Sequence, residues 1–326
     1  MNGKFVISLD FELMWGVFDK HTLNTYGENV LGVHEVLPKL LDIFNEYKIN
    51  ATIALVGFLF YEDKKQLLAD QPFILPTYIN SNLNPYRYMI NEDLDFNSGK
   101  YFFAPHLIDL IKKYPNIEIG SHTYSHYLCL ENGLNINQFE WDLKKFVSIS
   151  AKNNISVSSI VFPRNQYSED HLKVCYRNGI LSYRGNENTW YYEPKSTSGQ
   201  NIFTRLFRLI DTYINISGHN CYDIEKFIKQ DCPLNIPSSR FLRPFNKKYK
   251  LLESFRLNRI KNSMTYAAKN GLTYHLWWHP HNFGKNINEN MHFLNEVLTH
   301  FYFLNQKYNF DSYSMEAISK KCSNGK

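Results

Sequence analysis

Short apolar runs alternate with segments of helical periodicity along most of this 326-residue chain. The first apolar run is residues 5–11, and in residues 34–48 the apolar side chains recur at helical spacing. Strands that alternate with helices in this way pair in parallel through βαβ units. Because at least six such units follow one another, the pattern favours a barrel of the β/α kind over an open sheet.

Two long stretches interrupt the alternation. Residues 60–104 are rich in Asn, Asp, Pro and Tyr, and residues 186–247 mix Asn, Ser and Pro with short apolar pieces. Loops of this length usually form lids or binding loops, so we predict one domain, residues 1–326, with two insertions at its rim. Outside them, further strands are predicted at 51–56, 117–120, 159–162, 180–183 and 272–278, and further helices at 106–114, 136–152, 169–178, 257–267 and 288–306.

The composition excludes several classes of protein. With 44% hydrophobic residues the chain is too apolar to be disordered. Its net charge of +5 is too small and too dispersed for a nucleic-acid-binding protein, but it is compatible with an anionic substrate or an anionic membrane surface. The aromatic content of 16% suits a large core and also a cleft that binds carbohydrate.

The N-terminus and the cysteines favour a cytoplasmic protein. Residues 1–4 lead directly into the first strand, which leaves no room for the apolar region of a signal peptide. Five scattered cysteines, none of them in a CxxC pair, are typical of reduced thiols. Since no run of about 18 apolar residues occurs, we expect no membrane-spanning helix.

Two pairs of polar residues follow predicted strands and could share a metal ion. Asp10 and Glu12 lie at the end of the first strand, where alternation points both carboxylates the same way. Buried together, they would need a cation or protons between them. His122 and His126 follow the strand 117–120, and histidines four apart meet on one face of a helical turn. One carboxylate and two histidines form a facial metal site with open positions for water and substrate.

Two further strand ends carry candidate residues. Arg164 follows the strand 159–162 and could orient a carboxylate of the protein or bind one on a substrate. His279 ends the last strand, just before a proline, and barrel enzymes place their catalytic groups at such strand ends. His275 lies deeper in the same strand and is interpreted as a core histidine. His281 is an alternative candidate for the role of His279 at the strand end.

Together these segments resemble the polysaccharide deacetylases, the NodB-homology group of metal-dependent carbohydrate esterases. The resemblance rests on the order of four motifs. They are an acidic strand end at 8–12, a His-Thr-x-x-His segment at 122–126, a Pro-Arg turn at 163–166 and a late strand ending on His at 276–279. Residues 193–250 have no counterpart in this pattern.

The resemblance implies a distorted (β/α) barrel, one divalent metal ion, commonly zinc, and N-deacetylation of an amino sugar. Asp10 matches the family's catalytic base and His279 its general acid. His122 and His126 match the two metal histidines. Arg164 matches the arginine that orients the base.

The chain departs from the family in its first motif. The usual pair of adjacent aspartates is interrupted, because Phe11 follows Asp10. A branch of the family uses acid-x-acid instead, and there Glu12 would be the metal carboxylate. Whether Glu12 replaces the usual aspartate therefore stays open.

Several functions fit this set of residues. The first is a metal-dependent N-deacetylase of an amino sugar, in a glycan or in a lipid- or nucleotide-linked intermediate of cell-surface glycan biosynthesis. The same site would suit a deformylase, a hydrolase of small amides, or a barrel that binds carbohydrate without catalysis. The basic segment 247–261 could contact phosphate groups or the inner membrane surface.

Overall fold

The computed structural model describes residues 2–91, 99–192 and 202–324. Nine strands in these ranges form one sheet, and every pairing between them is parallel. In chain order they are β1 (Lys4–Phe11), β2 (Ala51–Leu55), β3 (Ile117–Ser121), β4 (Ser159–Ile160), β5 (Ser182–Tyr183), β6 (Leu234–Asn235), β7 (Arg240–Phe241), β8 (Thr273–Trp278) and β9 (Asp311–Ser312).

The sheet curls until its two edges come together. Its order is β6-β5-β4-β3-β2-β1-β8-β7, with β9 as a side branch on β1. The edge strands β6 and β7 follow each other in the sequence with only residues 236–239 between them. Within this link, Ile236 donates a backbone hydrogen bond to Tyr183 and Ser239 donates one to His275 on the far side. A four-residue link can join both edges only if the sheet is rolled, which confirms the distorted β/α barrel.

Helices follow most strands and supply the apolar faces that the sheet needs. Leu37, Leu40, Leu41 and Phe44 of α2 are all fully buried, so the helix covers the sheet with one stripe. In chain order the helices are α1 (Leu23–Leu31), α2 (Val33–Glu46), α3 (Lys64–Ala69), α4 (Pro85–Asn91), α5 (Pro105–Ile111), α6 (Ile136–Lys152), α7 (Glu169–Arg177), α8 (Ile202–Tyr213), α9 (Glu253–Asn270), α10 (Pro280–Phe283), α11 (Ile287–Tyr308) and α12 (Met315–Asn324).

The predicted elements are present, and the largest difference concerns the second predicted insertion. The stretch 186–247 contains β6 and β7, so its last part belongs to the barrel itself. β4 and β5 are equally short, but each lies in a longer apolar run, whereas β6 and β7 stand between prolines and polar residues and give no such signal. The first predicted insertion, 60–104, contains α3 and α4, while parts of both stretches, 92–98 and 193–201, lie outside the described residues. Within the described ranges, no helix combines the length and the apolar character required to cross a bilayer.

Candidate metal and catalytic site

The register of the parallel strands brings the candidate residues to one end of the barrel. Trp278 pairs with Leu9, so the next residue, His279, comes level with Asp10. In the same way Phe11 pairs with Leu55 and Leu55 with Ser121, which brings Glu12 level with His122. Because carboxyl ends of parallel strands share one edge, residues far apart in the sequence converge without any long loop.

Glu12, His122 and His126 form a compact buried group. Glu12 Oε2 lies 3.1 Å from His122 Nε2 and 3.2 Å from His126 Nε2. One ligand atom from each residue lies within 4.8 Å of the others. All three side chains are at most 4% exposed, so water screens the carboxylate only weakly.

The contacts of His122 leave a place for a proton or a metal ion in this group. His122 Nδ1 lies 2.8 Å from the backbone oxygen of Val161, which can only accept a hydrogen bond. The proton of a neutral His122 ring therefore resides on Nδ1, and the lone pair of Nε2 faces the carboxylate of Glu12. Two acceptors at this distance repel each other unless a proton or a metal ion lies between them. A carboxylate with two imidazoles suits a divalent ion such as zinc, so the residues fit a metal site.

The charge states of the group agree with metal binding. Burial raises the pKa of Glu12, but the charge of His279 and the close imidazoles of His122 and His126 outweigh it and hold the pKa well below its usual value. Burial lowers the pKa of His126, which favours the neutral ring. Metal ligands must be an ionised carboxylate and neutral imidazoles, and the pKa directions of Glu12 and His126 favour these forms.

The two histidines converge through an irregular loop, which corrects the helical turn expected from their spacing. Thr123 and His126 have φ angles of 64° and 56°, in the left-handed region that a β-branched residue rarely adopts. Asp142 of α6 holds the loop by accepting hydrogen bonds from the backbone of Tyr124 (2.7 Å) and Ser125 (3.1 Å) and from the Ser125 hydroxyl. Side-chain contacts from a distant helix thus replace the hydrogen bonds of a helical turn.

Asp10 is held by an arginine that the sequence did not reveal. Arg184 Nη1 and Nη2 each donate to one carboxylate oxygen of Asp10 at 2.7 Å, in a fully buried bidentate pair. The Arg184 guanidinium also lies 4.0 Å from the ring centre of Trp277. Burial raises the pKa of Asp10, but Arg184 first, and His122 and His279 after it, bring the pKa below its usual value. Asp10 is therefore ionised at neutral pH.

Arg164 does not make the expected contact with Asp10. It donates to Asp19 at 2.6 Å, and its φ of 53° turns the short helix 163–165 away from a regular path. Arg184 directly follows β5, and this strand-end position was the signal that could have identified it. Arg164 nonetheless lines the pocket that contains Asp10 and Glu12.

Of the three histidines near β8, His279 faces both carboxylates. Its Nε2 lies 3.7 Å from Asp10 Oδ2 and 3.6 Å from Glu12 Oε1, and the side chain is 22% exposed. His281 stacks on it with ring centres 4.9 Å apart, and burial followed by repulsion from His279 lowers the pKa of His281 to about 3. His275 bonds the Ile236 carbonyl and the Ser8 hydroxyl inside the barrel, as expected of a core histidine.

Gly16 is a second residue that sequence reasoning missed. A Cβ atom at this position would lie 1.8 Å from Glu12 Oε1. The chain turns back over Glu12 in the short helix Leu13–Gly16, so only glycine leaves space for the carboxylate. A single glycine after a strand carries no signal of this kind in the sequence.

An open pocket exposes this site to substrate. Aromatic rings and cations surround the carboxylates and histidines. Its lining includes Asp10, Glu12, His126 and His279, the rings of Tyr26, Phe241 and Trp277, and the cations Lys20, Arg164 and Arg208. The pocket can thus contact both the apolar face of a ring-shaped ligand and a negative group attached to it.

Comparison with known proteins agrees with this geometry. The family model described as "Polysaccharide deacetylase" matches residues 17–181, just over half of the chain. A putative polysaccharide deacetylase from Mycobacterium smegmatis superposes with a TM-score of 0.59 at 12% identity, over 99% of this chain and 90% of that one. A probable polysaccharide deacetylase from Pseudomonas aeruginosa PAO1 gives 0.57 at 9% identity, over 99% and 91%.

A third solved structure, Puue allantoinase, gives a TM-score of 0.56 at 9% identity, over 99% of this chain and 90% of that one. At such low identities these structures establish the fold alone. No curated protein sequence gives a significant match. The family match includes His122 and His126, whereas Asp10, Glu12 and His279 lie outside it and enter the site through the fold. The chain belongs to the polysaccharide deacetylase family.

Proposed function

We propose that this protein is a metal-dependent hydrolase that removes an N-acetyl group from an amino sugar. The observation that carries the proposal is the convergence of three groups in one pocket. They are the Glu12–His122–His126 cluster, the ionised Asp10, and His279, whose Nε2 lies within 3.7 Å of both carboxylates. Hydrolysis of an amide needs an activated water and a protonated leaving amine, and these groups can serve both needs.

A divalent ion held by Glu12, His122 and His126, for which zinc is our expectation, would supply a Lewis acid for the acetamide carbonyl and would acidify a water. Asp10 accepts the proton of the attacking water, since its bidentate bond to Arg184 keeps it ionised and oriented. His279 reaches the pocket from the end of the neighbouring strand β8 and donates a proton to the departing amine. Asn282 accepts from His279 Nδ1 at 3.1 Å, which fixes the ring with Nε2 towards the substrate.

The pocket suits a sugar that carries a negative group. The rings of Phe241 and Trp277, 4.7 Å apart between centres, offer a surface for a pyranose face. Lys20, Arg164 and Arg208 line the same pocket and add positive charge. We therefore propose an acylated amino sugar in a lipid- or nucleotide-linked intermediate as the substrate class.

The first experiment measures bound metal and acetate release together. Purified protein should bind about one divalent ion per chain and release acetate from N-acetylated amino-sugar oligomers or sugar phosphates. The variant His122→Ala/His126→Ala should lose the ion. Its matched control is His34→Ala/His106→Ala, which removes another neighbouring pair of histidines, with ring centres 5.2 Å apart, away from the site.

Variants of the base and the acid separate binding from chemistry. Asp10→Asn and His279→Ala should each lower turnover by about a hundredfold or more while metal content stays at the wild-type level. Full turnover in either variant would remove the role assigned to that residue. Absence of metal after incubation with zinc, cobalt and nickel would overturn the mechanism. Release of formate from a formylated sugar, without acetate from its acetylated counterpart, would redirect the proposal to a deformylase.

A further inference from the structure

Helix α8 has its polar side inside and its apolar side outside. Phe203, Leu206, Phe207 and Ile210 follow one another at helical spacing and form one stripe. They are 63%, 50%, 38% and 37% exposed. A surface helix normally buries its apolar stripe, and here only part of it is covered, since Phe207 contacts the rings of Trp190 and Tyr191. The exposed remainder points to a partner other than water.

Polar contacts hold the helix in this orientation. Asp211, on the inner side of α8, is fully buried between Arg240 and Arg259, with nitrogen–oxygen distances of 3.2 Å and 3.5 Å. Thr212 accepts a hydrogen bond from Arg243 Nε at 2.8 Å. Rotation of the apolar stripe inward would expose this buried ion group and leave its charges unpaired. The outward stripe is therefore built into the fold.

A second apolar and basic segment continues the same surface. The rings of Tyr213, at the end of α8, and Tyr249 lie 6.2 Å apart between centres. Leu251 and Phe255 are 91% and 58% exposed. Exposed lysines at 247, 248 and 250 alternate with these apolar side chains, and residues 244–252 contain no acidic residue.

This surface adjoins the catalytic pocket. Arg208 of α8 lines the pocket together with Asp10 and His279. The pKa of Lys20 is lowered by burial, then by repulsion from Arg164 and, more weakly, from Arg205. Because Arg205 acts on Lys20, it lies near the cations of the pocket rim. The apolar stripe and the pocket mouth thus share one wall, the helix α8.

We propose that the exposed side chains of residues 203–214 and 247–255, here called the apolar–basic surface, dock on an anionic lipid bilayer. Apolar side chains interleaved with lysine and arginine are the composition of interfacial membrane-binding segments. The basic residues complement anionic headgroups, and the apolar stripe enters the boundary between headgroups and acyl chains. Docking brings the pocket mouth to the headgroup layer. The inference stands on this surface alone and does not depend on the proposed reaction.

The test is cosedimentation of the purified full chain with vesicles, measured without any substrate. One set is phosphatidylcholine with roughly a quarter phosphatidylglycerol, and the other is phosphatidylcholine alone. We expect binding to the anionic vesicles that weakens as salt rises from about 50 to about 500 mM, with weaker binding to the neutral vesicles. Lys247→Glu/Lys248→Glu should abolish the difference between the two vesicle types.

Matched apolar variants locate the docking surface. Phe203→Ser/Leu206→Ser should weaken binding to anionic vesicles by about tenfold or more, because two apolar side chains no longer leave water. The control is Phe73→Ser/Ile79→Ser, which removes two side chains that are even more exposed, 85% and 77%, on another part of the barrel. The control should bind as the wild type does. Leu251→Ser provides an independent variant at a side chain with no packing role.

Three results would overturn the inference. The first is a wild-type protein that sediments with neither vesicle type. The second is binding that survives in both Phe203→Ser/Leu206→Ser and Leu251→Ser. The third is a stable dimer in analytical ultracentrifugation that Phe203→Ser/Leu206→Ser converts to monomer, since a second copy would then cover the surface. None of these results bears on metal content or acetate release, so failure here is distinct from failure of the proposed function.

Discussion

Replacement of Arg184 by methionine should disable the site through Asp10. The guanidinium makes two 2.7 Å hydrogen bonds to the Asp10 carboxylate and is fully buried. Methionine keeps much of the apolar stem but removes the charge. Because Asp10 is also fully buried, its carboxylate would remain in the barrel without its main counter-charge.

The size of the effect follows from the burial of this pair. Removal of one partner of a buried ion pair costs about 3–5 kcal/mol if the other stays charged. Asp10 can avoid this cost by taking up a proton. At about 1.4 kcal/mol per pKa unit, the loss corresponds to a rise of roughly two to three and a half in the pKa of Asp10. Arg184 now holds this pKa below its usual value.

The assay is turnover against pH, with metal content measured in parallel. A raised pKa means that Asp10 is ionised only at higher pH, so the acid limb of the profile should move upward by about two units. The folded variant would bind more protons than the unfolded chain in this window, so its stability should fall as pH rises through it. Metal content should stay near the wild-type level, because Glu12, His122 and His126 are unchanged.

Arg164→Met is the matched control, since it removes the arginine that the sequence suggested for this role. It pairs with Asp19 at 2.6 Å, whereas Arg184 holds Asp10, so the variant should leave the acid limb in place. The reasoning is refuted if Arg164→Met moves the acid limb and Arg184→Met does not. It is also refuted if the Arg184→Met profile overlays that of the wild type.

Two further predictions address the metal site and the core. Gly16→Ala should lower metal affinity by about ten- to a hundredfold, because the added Cβ would displace the Glu12 carboxylate. Competition with a chelator measures this affinity. The control is Gly99→Ala, where an added Cβ would have its nearest contact at 4.0 Å, and it should bind metal normally. Burial lowers the pKa of His171 to about 4, so the folded state binds fewer protons than the unfolded state between pH 4 and 6.5, and stability should fall as pH drops through this window. Between pH 6.5 and 4 the free energy of unfolding should drop by up to about 3 kcal/mol in the wild type, and by clearly less in His171→Gln. Denaturant titrations at several pH values measure this drop. The same drop in both proteins would contradict the prediction.

Much of the fold was predictable because its signals are local. A helix of 17 residues such as Ile136–Lys152 contains several turns of apolar repeat, and the structure has it where the pattern placed it. The strands β1, β2, β3 and β8 are buried apolar runs with clear ends. The strands β6 and β7 have two residues each and lie between prolines and polar residues, so the sequence pattern did not separate them from a predicted insertion.

The sequence by itself determined which residue types stand at the strand ends: Asp10 and Glu12, the pair His122 and His126, and His279. This was possible because a strand end and its polar neighbours are close along the chain. The tertiary structure alone decided which arginine meets Asp10, because the contact between β5 and β1 depends on how far the sheet curls.

The outward apolar stripe of α8 likewise needed the tertiary structure. Periodicity reveals that a helix has an apolar side but not the direction in which that side points. The direction was set by the buried contacts of Asp211 with Arg240 and Arg259, residues 29 and 48 positions further along the chain. Local pattern thus determines the elements and the chemistry they carry, whereas distant pairings of buried charge determine which side of each element meets the core.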